Sequence, residues 1–138
     1  MNILSVLERT VSLGSDAANA AISFQNMTAS AVVVQVKMKN GPFTGLGFSS
    51  YGRYGHGGLL RERFIPRLNT ARTEDLLDED GNYTPEKVWS LLMRDEKEGG
   101  HGERSGAVGV LEMALWDAYA KSLDMPLWGV LTERYGHV

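Results

Sequence analysis

Residues 32–38, Val32-Val-Val-Gln-Val-Lys-Met38, decide how the N-terminal half of the chain folds. Every second residue of this stretch is apolar, whereas Gln35 and Lys37 fall on the opposite side. A period of two in β-branched residues predicts a half-buried antiparallel strand. Asn40-Gly41 follows, and this dipeptide is the strongest short signal for a hairpin, because both central turn positions favour a positive φ. Pro42 leaves open a turn longer than two residues.

Two flanking segments extend this strand into a small sheet. A return strand is expected over 43–49, where Thr44, Leu46 and Phe48 alternate with Phe43 and two glycines. A weaker strand is expected over 4–13, where apolar and polar residues also alternate. The three segments together predict a three-stranded antiparallel meander.

The second half of the sequence has the periodicity of helices. Leu60, Phe64 and Leu68 are spaced by four and predict a short helix that Pro66 must kink or end. Thr84-Pro85-Glu86 has the order of a helix start. It offers a hydroxyl to cap the first amides, a proline in the first turn and an acid at the positive end of the helix dipole.

The longest predicted helix covers about 103–123 and is apolar on most sides, which is typical of a helix packed between layers. Pro126 ends it, and residues 127–131 predict one more short helical turn. The acidic stretch 74–80 is expected to be a solvated loop. Because strands come first and helices follow, the predicted fold class is α+β, a meander followed by a helical bundle.

Length and composition exclude several classes of protein. The chain has 138 residues, whereas a complete TIM-type barrel needs roughly 250. It contains no cysteine, which excludes disulfides, thiolate metal sites and thiol nucleophiles. The net charge is −3 without a basic stripe, so no nucleic-acid partner is expected. No apolar run approaches the ~20 residues of a membrane span and no export signal is present, which favours a cytoplasmic protein without a membrane partner.

Glycine is enriched in two stretches, 41–58 and 99–109, which predicts two backbone-permissive loops. Gly100-His101-Gly102 has the wrong spacing for a phosphate cradle, and Gly106 and Gly109 are instead expected to allow close helix packing. The three histidines share no metal-ligand spacing, so each is expected to be solvated or capping.

Two segments are candidates for contact with a ligand. Residues 49–58 combine two tyrosines, an arginine and a histidine with glycines, and such a loop can wrap a small polar ligand or merely pin a turn. Lys97 lies between Glu96 and Glu98, where a lysine is usually just solvated. No residue pair is a convincing nucleophile and base, so spacing alone yields no catalytic residue.

Longer motifs nevertheless resemble a known family. The chain is similar to the capping domain of the enolase superfamily, in its mandelate racemase/muconate lactonizing enzyme branch. The resemblance rests first on Gly45-Leu-Gly-Phe-Ser-Ser, Gly52-Arg-Tyr-Gly-His-Gly-Gly-Leu-Leu-Arg-Glu-Arg-Phe64, Ala107-Val-Gly-Val-Leu-Glu-Met-Ala-Leu-Trp-Asp117-Ala-Tyr-Ala-Lys121 and Met125-Pro126-Leu127. Lys87-Val-Trp89 and Glu96-Lys97-Glu98-Gly-Gly-His-Gly-Glu-Arg-Ser105 sharpen it to the D-tartrate dehydratase group.

The resemblance implies a domain that belongs to a larger enzyme. Members of this family carry an N-terminal capping domain and then a modified TIM-type barrel that binds Mg²⁺. Their chemistry is abstraction of the proton α to a carboxylate, followed in the dehydratases by loss of a β-hydroxyl. The barrel supplies the base and the metal ligands, and residues 1–138 end before it. The whole chain is therefore expected to be one capping domain, with 126–138 leading toward the barrel, with no catalytic residue or metal ligand of its own and no activity alone.

Three residues of this chain are expected to bind substrate, again by resemblance. Asn19 corresponds to a contact in the first loop of the capping domain, and Lys97 to a second contact with a carboxylate or hydroxyl. Tyr51 stands where the tartrate dehydratase pattern has an asparagine, and a phenol differs from an amide in length and shape. This departure weakens the resemblance as an argument for tartrate itself as the substrate.

The expected function is therefore that of a lid that closes the active site and sets specificity in a Mg²⁺-dependent acid-sugar or tartrate-type dehydratase, a hydro-lyase. The alternatives are a capping domain of a racemase or cycloisomerase of the same superfamily, or a free-standing ligand-binding or interaction module. The expected partners are the barrel domain, a small hydroxy acid and further copies of the protein in a homo-oligomer.

Overall fold

The structure, a computed structural model, describes residues 1–50, 52–97 and 102–136. Three antiparallel strands come first, β1 (Asn2–Ser12), β2 (Thr28–Met38) and β3 (Gly41–Phe48), in the spatial order β1-β2-β3. The predicted meander is thus confirmed. The alternate valines of the central strand β2 are fully buried and form the floor of the core.

Helices follow the sheet and cover one face of it. They are α1 (His56–Leu59), a π-helical segment (Leu60–Phe64), α2 (Ile65–Leu68), α3 (Thr73–Leu76), α4 (Pro85–Leu92), α5 (Gly102–Ser122) and α6 (Leu127–Tyr135). The predicted α+β class, with strands before helices, is confirmed. None of the helices in the described ranges is both long enough and apolar enough to cross a bilayer.

The turn between β2 and β3 is one residue earlier than predicted. Met38 pairs with Gly41, so Lys39 and Asn40 form a two-residue turn and Gly41 already belongs to β3. The Asn40 side chain explains this register, because its amide nitrogen donates to the Ser122 carbonyl at 2.7 Å. The turn is thereby tied to the end of α5.

Helix α5 lies directly on β3, and two glycines make this approach possible. A Cβ on Gly45 would lie 1.9 Å from the Ala114 carbonyl oxygen, and one on Gly47 would lie 2.1 Å from the Val110 carbonyl oxygen. The prediction of a backbone-permissive loop over 41–58 is therefore wrong for its first part. These glycines sit in a strand because only a residue without a side chain lets the helix come so close.

The same helix closes the outer edge of β3. The Leu46 amide donates to Asp117 Oδ2 at 2.8 Å, and Lys121 Nζ donates to the Thr44 carbonyl at 3.0 Å. Unpaired strand edges are templates for aggregation, and side chains that occupy their hydrogen-bonding groups remove that hazard. The outward face of the sheet, in contrast, is apolar and open, with Leu46 at 55% and Phe48 at 64% exposure.

Pro66 does not end the helix around it, which was one of the two effects predicted for this proline. Leu60, Phe64 and Leu68 are fully buried, as the spacing of four requires, but the chain stays helical past Pro66 to Leu68. The π-helical segment just before α2 provides the physical reason. Pro66 falls in the first turn of α2, where an amide hydrogen needs no partner within that helix.

Two further local predictions need correction. Helix α4 starts at Pro85 as predicted, but the Thr84 hydroxyl does not cap it and donates instead to the Asn82 carbonyl at 3.3 Å. The acidic stretch 74–80 is not simply a solvated loop, because it contains the end of α3. Leu76 and Leu77 are buried there and hold this turn against the core.

Candidate functional site

The candidate site lies at one end of the sheet, which we name the loop end. At this end β1 stops and β2 begins, with Ser12 opposite Thr28, and β3 stops at Phe48 opposite Ala31. Residues 13–27, 49–50 and 52–55 emerge here, and the Gly52 amide donates to the Thr28 carbonyl at 3.0 Å. Because α5 runs antiparallel to β3, its first turn reaches the same end.

Asn19 lies in the first of these loops and is exposed. Its side-chain oxygen accepts hydrogen bonds from the amides of Ala21 at 2.9 Å and Ile22 at 2.8 Å. Its own amide donates to the Ile22 carbonyl at 2.9 Å, next to a bridge between Ala18 and Ser23. The oxygen is therefore used to shape the loop. Only the side-chain NH₂ is left to face a ligand, as a hydrogen-bond donor.

Lys97 is exposed, and the residue before it is anchored in the protein. Glu96 exposes only 2% of its side chain and is surrounded by three arginines. Arg63 contacts it at 2.5 Å, Arg67 at 2.8 Å and Arg104 at 2.8 Å. We call these four residues the Glu96 cluster. It joins the π-helical segment, α2 and the first turns of α5 to the segment that carries Lys97.

The electrostatics of the Glu96 cluster favour the ionised carboxylate. Burial alone would raise the pKa of Glu96, but hydrogen bonds from Arg104, Arg63 and Arg67 outweigh it and lower the pKa to about 2. Three guanidinium groups face one carboxylate, so the cluster keeps a positive charge of +2, which Lys97 increases. The Glu96 cluster therefore adds a local positive charge beside Lys97.

His56 forms a second link at the loop end. It is buried at 4% exposure, with Nε2 3.3 Å from Glu103 Oε2, and Glu103 also pairs with Arg53 at 3.0 Å. Its ring lies against Gly106, where a Cβ would come within 2.6 Å. Burial lowers the pKa of His56, the Glu103 carboxylate opposes this and Arg53 adds to it. The imidazole is therefore neutral at pH 7.

These contacts test several of the predictions made from the sequence. His56 is neither solvated nor capping, because it fills the space left by Gly106. Gly106 allows close packing as predicted, but Gly109 has nothing within 4 Å and that part of the prediction is wrong. Lys97 is exposed, as is usual for a lysine in a charged run, but the Glu96 side chain beside it is buried, because arginines 29 and 33 residues away in sequence and one in the next helix hold its carboxylate.

A buried carboxylate also lies on the core side of the sheet near the loop end. Glu8 exposes 2% of its side chain and pairs with Arg61 at 2.7 Å. The Thr10 hydroxyl donates to Glu8 and lies 2.8 Å from the Ser30 hydroxyl. Strand β1 thus turns polar residues inward here, while Leu7 and Val11 face solvent. This network joins the sheet to the helix that follows the glycine-rich loop.

Tyr51, His101 and His137 lie outside the described residues. Asn19 and Lys97 both belong to segments at the loop end, and no hydrogen bond or ion pair within the described ranges links one to the other. No motif in the sequence indicates the Glu96 cluster or the Glu8 network. The nearest signal is Arg61-Glu-Arg63, a pair of arginines that reaches both carboxylates from one helical segment.

Within residues 1–50, 52–97 and 102–136, no group of three or more His, Cys, Asp or Glu side chains could hold a metal ion. The loop end is therefore not a metal centre made by these residues. The loop end offers hydrogen-bond donors and positive charge next to the glycine-rich segment between β3 and α1.

Comparison with known proteins supports the fold. No protein-family model matches the sequence. Among solved structures, the chain is similar to a mandelate racemase/muconate lactonizing enzyme-like protein from Rubrobacter xylanophilus, with a TM-score of 0.59 and 20% sequence identity. The match covers 94% of this chain and 32% of that protein, so the chain spans about a third of the length of the protein it matches. The fold of this chain is similar to that of one part of the Rubrobacter protein.

Proposed function

We propose that this chain is the capping domain of an enolase-superfamily enzyme and that its loop end covers the substrate. The observation that carries the proposal is the convergence of the loop 13–27, residues 49–50 and 52–55 and the start of α5 at one end of the sheet. The fold likeness to the Rubrobacter protein supports it, because that protein is about three times as long as the match. The remaining length would supply the barrel.

The finer proposal is that the substrate is a hydroxy acid and the reaction is its dehydration. The positive charge at the loop end supports an anionic substrate. Asn19 offers a donor NH₂, and Lys97 offers an ammonium that can pair with a carboxylate or bind a hydroxyl. Tyr51 is the third proposed contact. A change in one such polar contact can discriminate strongly between hydroxy acids.

Mg²⁺ would have to be held by the barrel, because the described residues contain no metal-ligating group of three. The role of this chain in the reaction is then to bind the distal part of the substrate, to orient it and to exclude water when the loops close. Soluble homo-oligomers in the cytoplasm remain part of the proposal.

The test uses the polypeptide that joins this chain to the proposed barrel. A screen of acid sugars with Mg²⁺ should find a substrate whose product has lost one water. Lys97→Ala should then lower kcat/KM about 10- to 100-fold, the usual range for a hydrogen bond to a charged group. The matched control is Lys37→Ala, another exposed lysine, which lies in the cleft at the opposite end of the sheet and should leave kcat/KM unchanged.

Either of two outcomes would contradict the proposal. One is equal kcat/KM for Lys97→Ala and the unmodified enzyme on the best substrate. The other is a product of unchanged mass with inverted configuration or a rearranged ring, which would replace the dehydratase by a racemase or cycloisomerase and leave the lid role intact.

A further inference from the structure

The segment that carries Lys97 is held by a specific series of backbone contacts. Helix α4 ends at Leu92, and the Leu92 carbonyl accepts a hydrogen bond from Arg67. Asp95 then adopts a left-handed conformation with φ of 61° and reverses the chain, and the Glu96 amide donates to the Met93 carbonyl at 3.0 Å. Aspartate is one of the few side chains that tolerate this conformation.

Within the described residues, Arg104 is the member of the Glu96 cluster that also hydrogen-bonds to Lys97. One of its terminal nitrogens donates to Glu96 Oε2 at 2.8 Å, and the other donates to the Lys97 carbonyl at 3.0 Å. Its side chain is 16% exposed, so it is fixed by its surroundings. Arg63 contacts the same carboxylate through Glu96 Oε1 and makes no contact with Lys97.

We propose that Arg104 is a positioning residue for Lys97, which fixes the direction of the lysine by holding the Lys97 carbonyl and the side chain of the preceding residue, Glu96, at the same time. Only a guanidinium can span the two acceptors, because its planar fork presents two nitrogens at once. A lysine at this position keeps the positive charge, but its single nitrogen can hold only one of the two acceptors in a fixed geometry. This inference rests on the proposed function, in which Lys97 binds the substrate.

The first test measures the position of the segment without any substrate. Amide hydrogen exchange is followed at Glu96 in the 138-residue chain, in Arg104→Lys and in Arg63→Lys as the matched control. Both variants weaken the same carboxylate cluster, but only Arg104→Lys releases the Lys97 carbonyl. The Glu96 amide should exchange about ten-fold faster in Arg104→Lys than in Arg63→Lys. Equal exchange in the two variants would overturn the proposal.

The second test is a double-mutant cycle in the enzyme with its barrel, on the substrate found by the acid-sugar screen. Arg104→Lys should lower kcat/KM about ten-fold, mainly through KM, while Arg63→Lys lowers it less than two-fold. In the Lys97→Ala background, Arg104→Lys should cause no further loss, because the group that it positions is gone.

The outcomes separate this inference from the proposed function. If Lys97→Ala does not change kcat/KM, the substrate role of Lys97 fails and the positioning role fails with it. If Lys97→Ala lowers kcat/KM and Arg104→Lys lowers it by the same factor in both backgrounds, Lys97 keeps its role and only the action of Arg104 through Lys97 is refuted.

Discussion

The two ends of the sheet differ in how far their charged side chains are buried and paired. At the loop end, the carboxylates of Glu8 and Glu96 are buried and paired with arginines. At the other end, beside the β2–β3 turn, Lys37 and Lys39 face the acidic residues 78–80 across an open cleft of about 870 Å³. Four of the exposed charged side chains of this cleft, Lys37, Lys39, Glu79 and Asp80, make no ion pair within the described part of the chain, whereas Glu74 pairs with Arg72 at 3.2 Å.

This difference indicates at which end the charged side chains hold the surrounding chain in one fixed arrangement. Buried charges are costly to desolvate and are retained where hydrogen bonds define one arrangement of the surrounding chain. Solvated charges of both signs impose no such arrangement, and their ion pairs are worth little. The cleft beside the β2–β3 turn is therefore the weaker candidate for a specific site, and the loop end, with its anchored segments, is the stronger one.

The largest expected loss of stability comes from removing one of the paired charges at the loop end. Glu96→Ala leaves Arg63, Arg67 and Arg104 facing each other without an anion, and should lower the free energy of unfolding by about 3–5 kcal/mol. Glu79→Ala in the cleft should change it by less than about 0.5 kcal/mol. Urea denaturation followed by circular dichroism measures both, and similar values for the two variants would remove the contrast between the ends.

The second prediction concerns the contact that brings the start of α5 to the loop end. Gly45→Ala should lower the free energy of unfolding by about 3 kcal/mol, because its Cβ would overlap the backbone of Ala114 and Ala118. Gly109→Ala, on the helix itself and with open space around it, should raise stability by up to about 1 kcal/mol. Thermal unfolding of both variants checks this, and a stable Gly45→Ala protein would mean that α5 is not seated as described.

The third prediction concerns Glu112, which, unlike Glu96, has no cationic partner among the described residues. Glu112 on α5 accepts a hydrogen bond from Tyr83 at 3.3 Å, and burial, with a further contribution from Glu86, raises its pKa to about 7. The folded protein therefore binds a proton more tightly than the unfolded chain, so stability falls as pH rises from about 4.5 through 7. Allowing for partial exposure, about 1–2 kcal/mol is lost.

Glu112→Gln should remove this loss, so the slope of unfolding free energy between pH 5 and pH 8 becomes flatter. Glu96 acts in the opposite direction: its lowered pKa contributes stability above about pH 4.5 that is lost as the pH falls toward 2. Denaturation curves at several pH values separate the two groups. An unchanged slope in Glu112→Gln would assign the pH dependence to another residue.

The sequence predicts the sheet well because its signals are local. Alternation in β2 identifies the central strand, and the spacing of Leu60, Phe64 and Leu68 identifies a buried helical face. The role of Gly45 and Gly47 is not local, since it depends on small residues of α5 such as Ala114. The glycine-rich sequence therefore predicts a loop where Gly45 and Gly47 lie in a strand. The small side chains spaced along α5 are a signal that this helix could pack closely on that strand.

The candidate site is less accessible to prediction from the sequence. Lys97 and Asn19 were proposed through family resemblance, and their segments do lie at the loop end. The Glu96 cluster was missed because its arginines come from three separate helical segments, and a run of charges next to Lys97 has the composition of a solvated surface. His56 was missed for a related reason, since its burial depends on the space left by Gly106 in α5.

The most direct measurement is hydrogen exchange of the enzyme with its barrel, with and without a saturating hydroxy acid from the screen and Mg²⁺. The residues 13–27 and the first turn of α5 should become protected when the acid is added, while the amides around Lys39 and Glu79 should exchange as before. Protection confined to the cleft beside the β2–β3 turn, or no change at either end, would contradict the assignment of the loop end as the surface that covers the substrate.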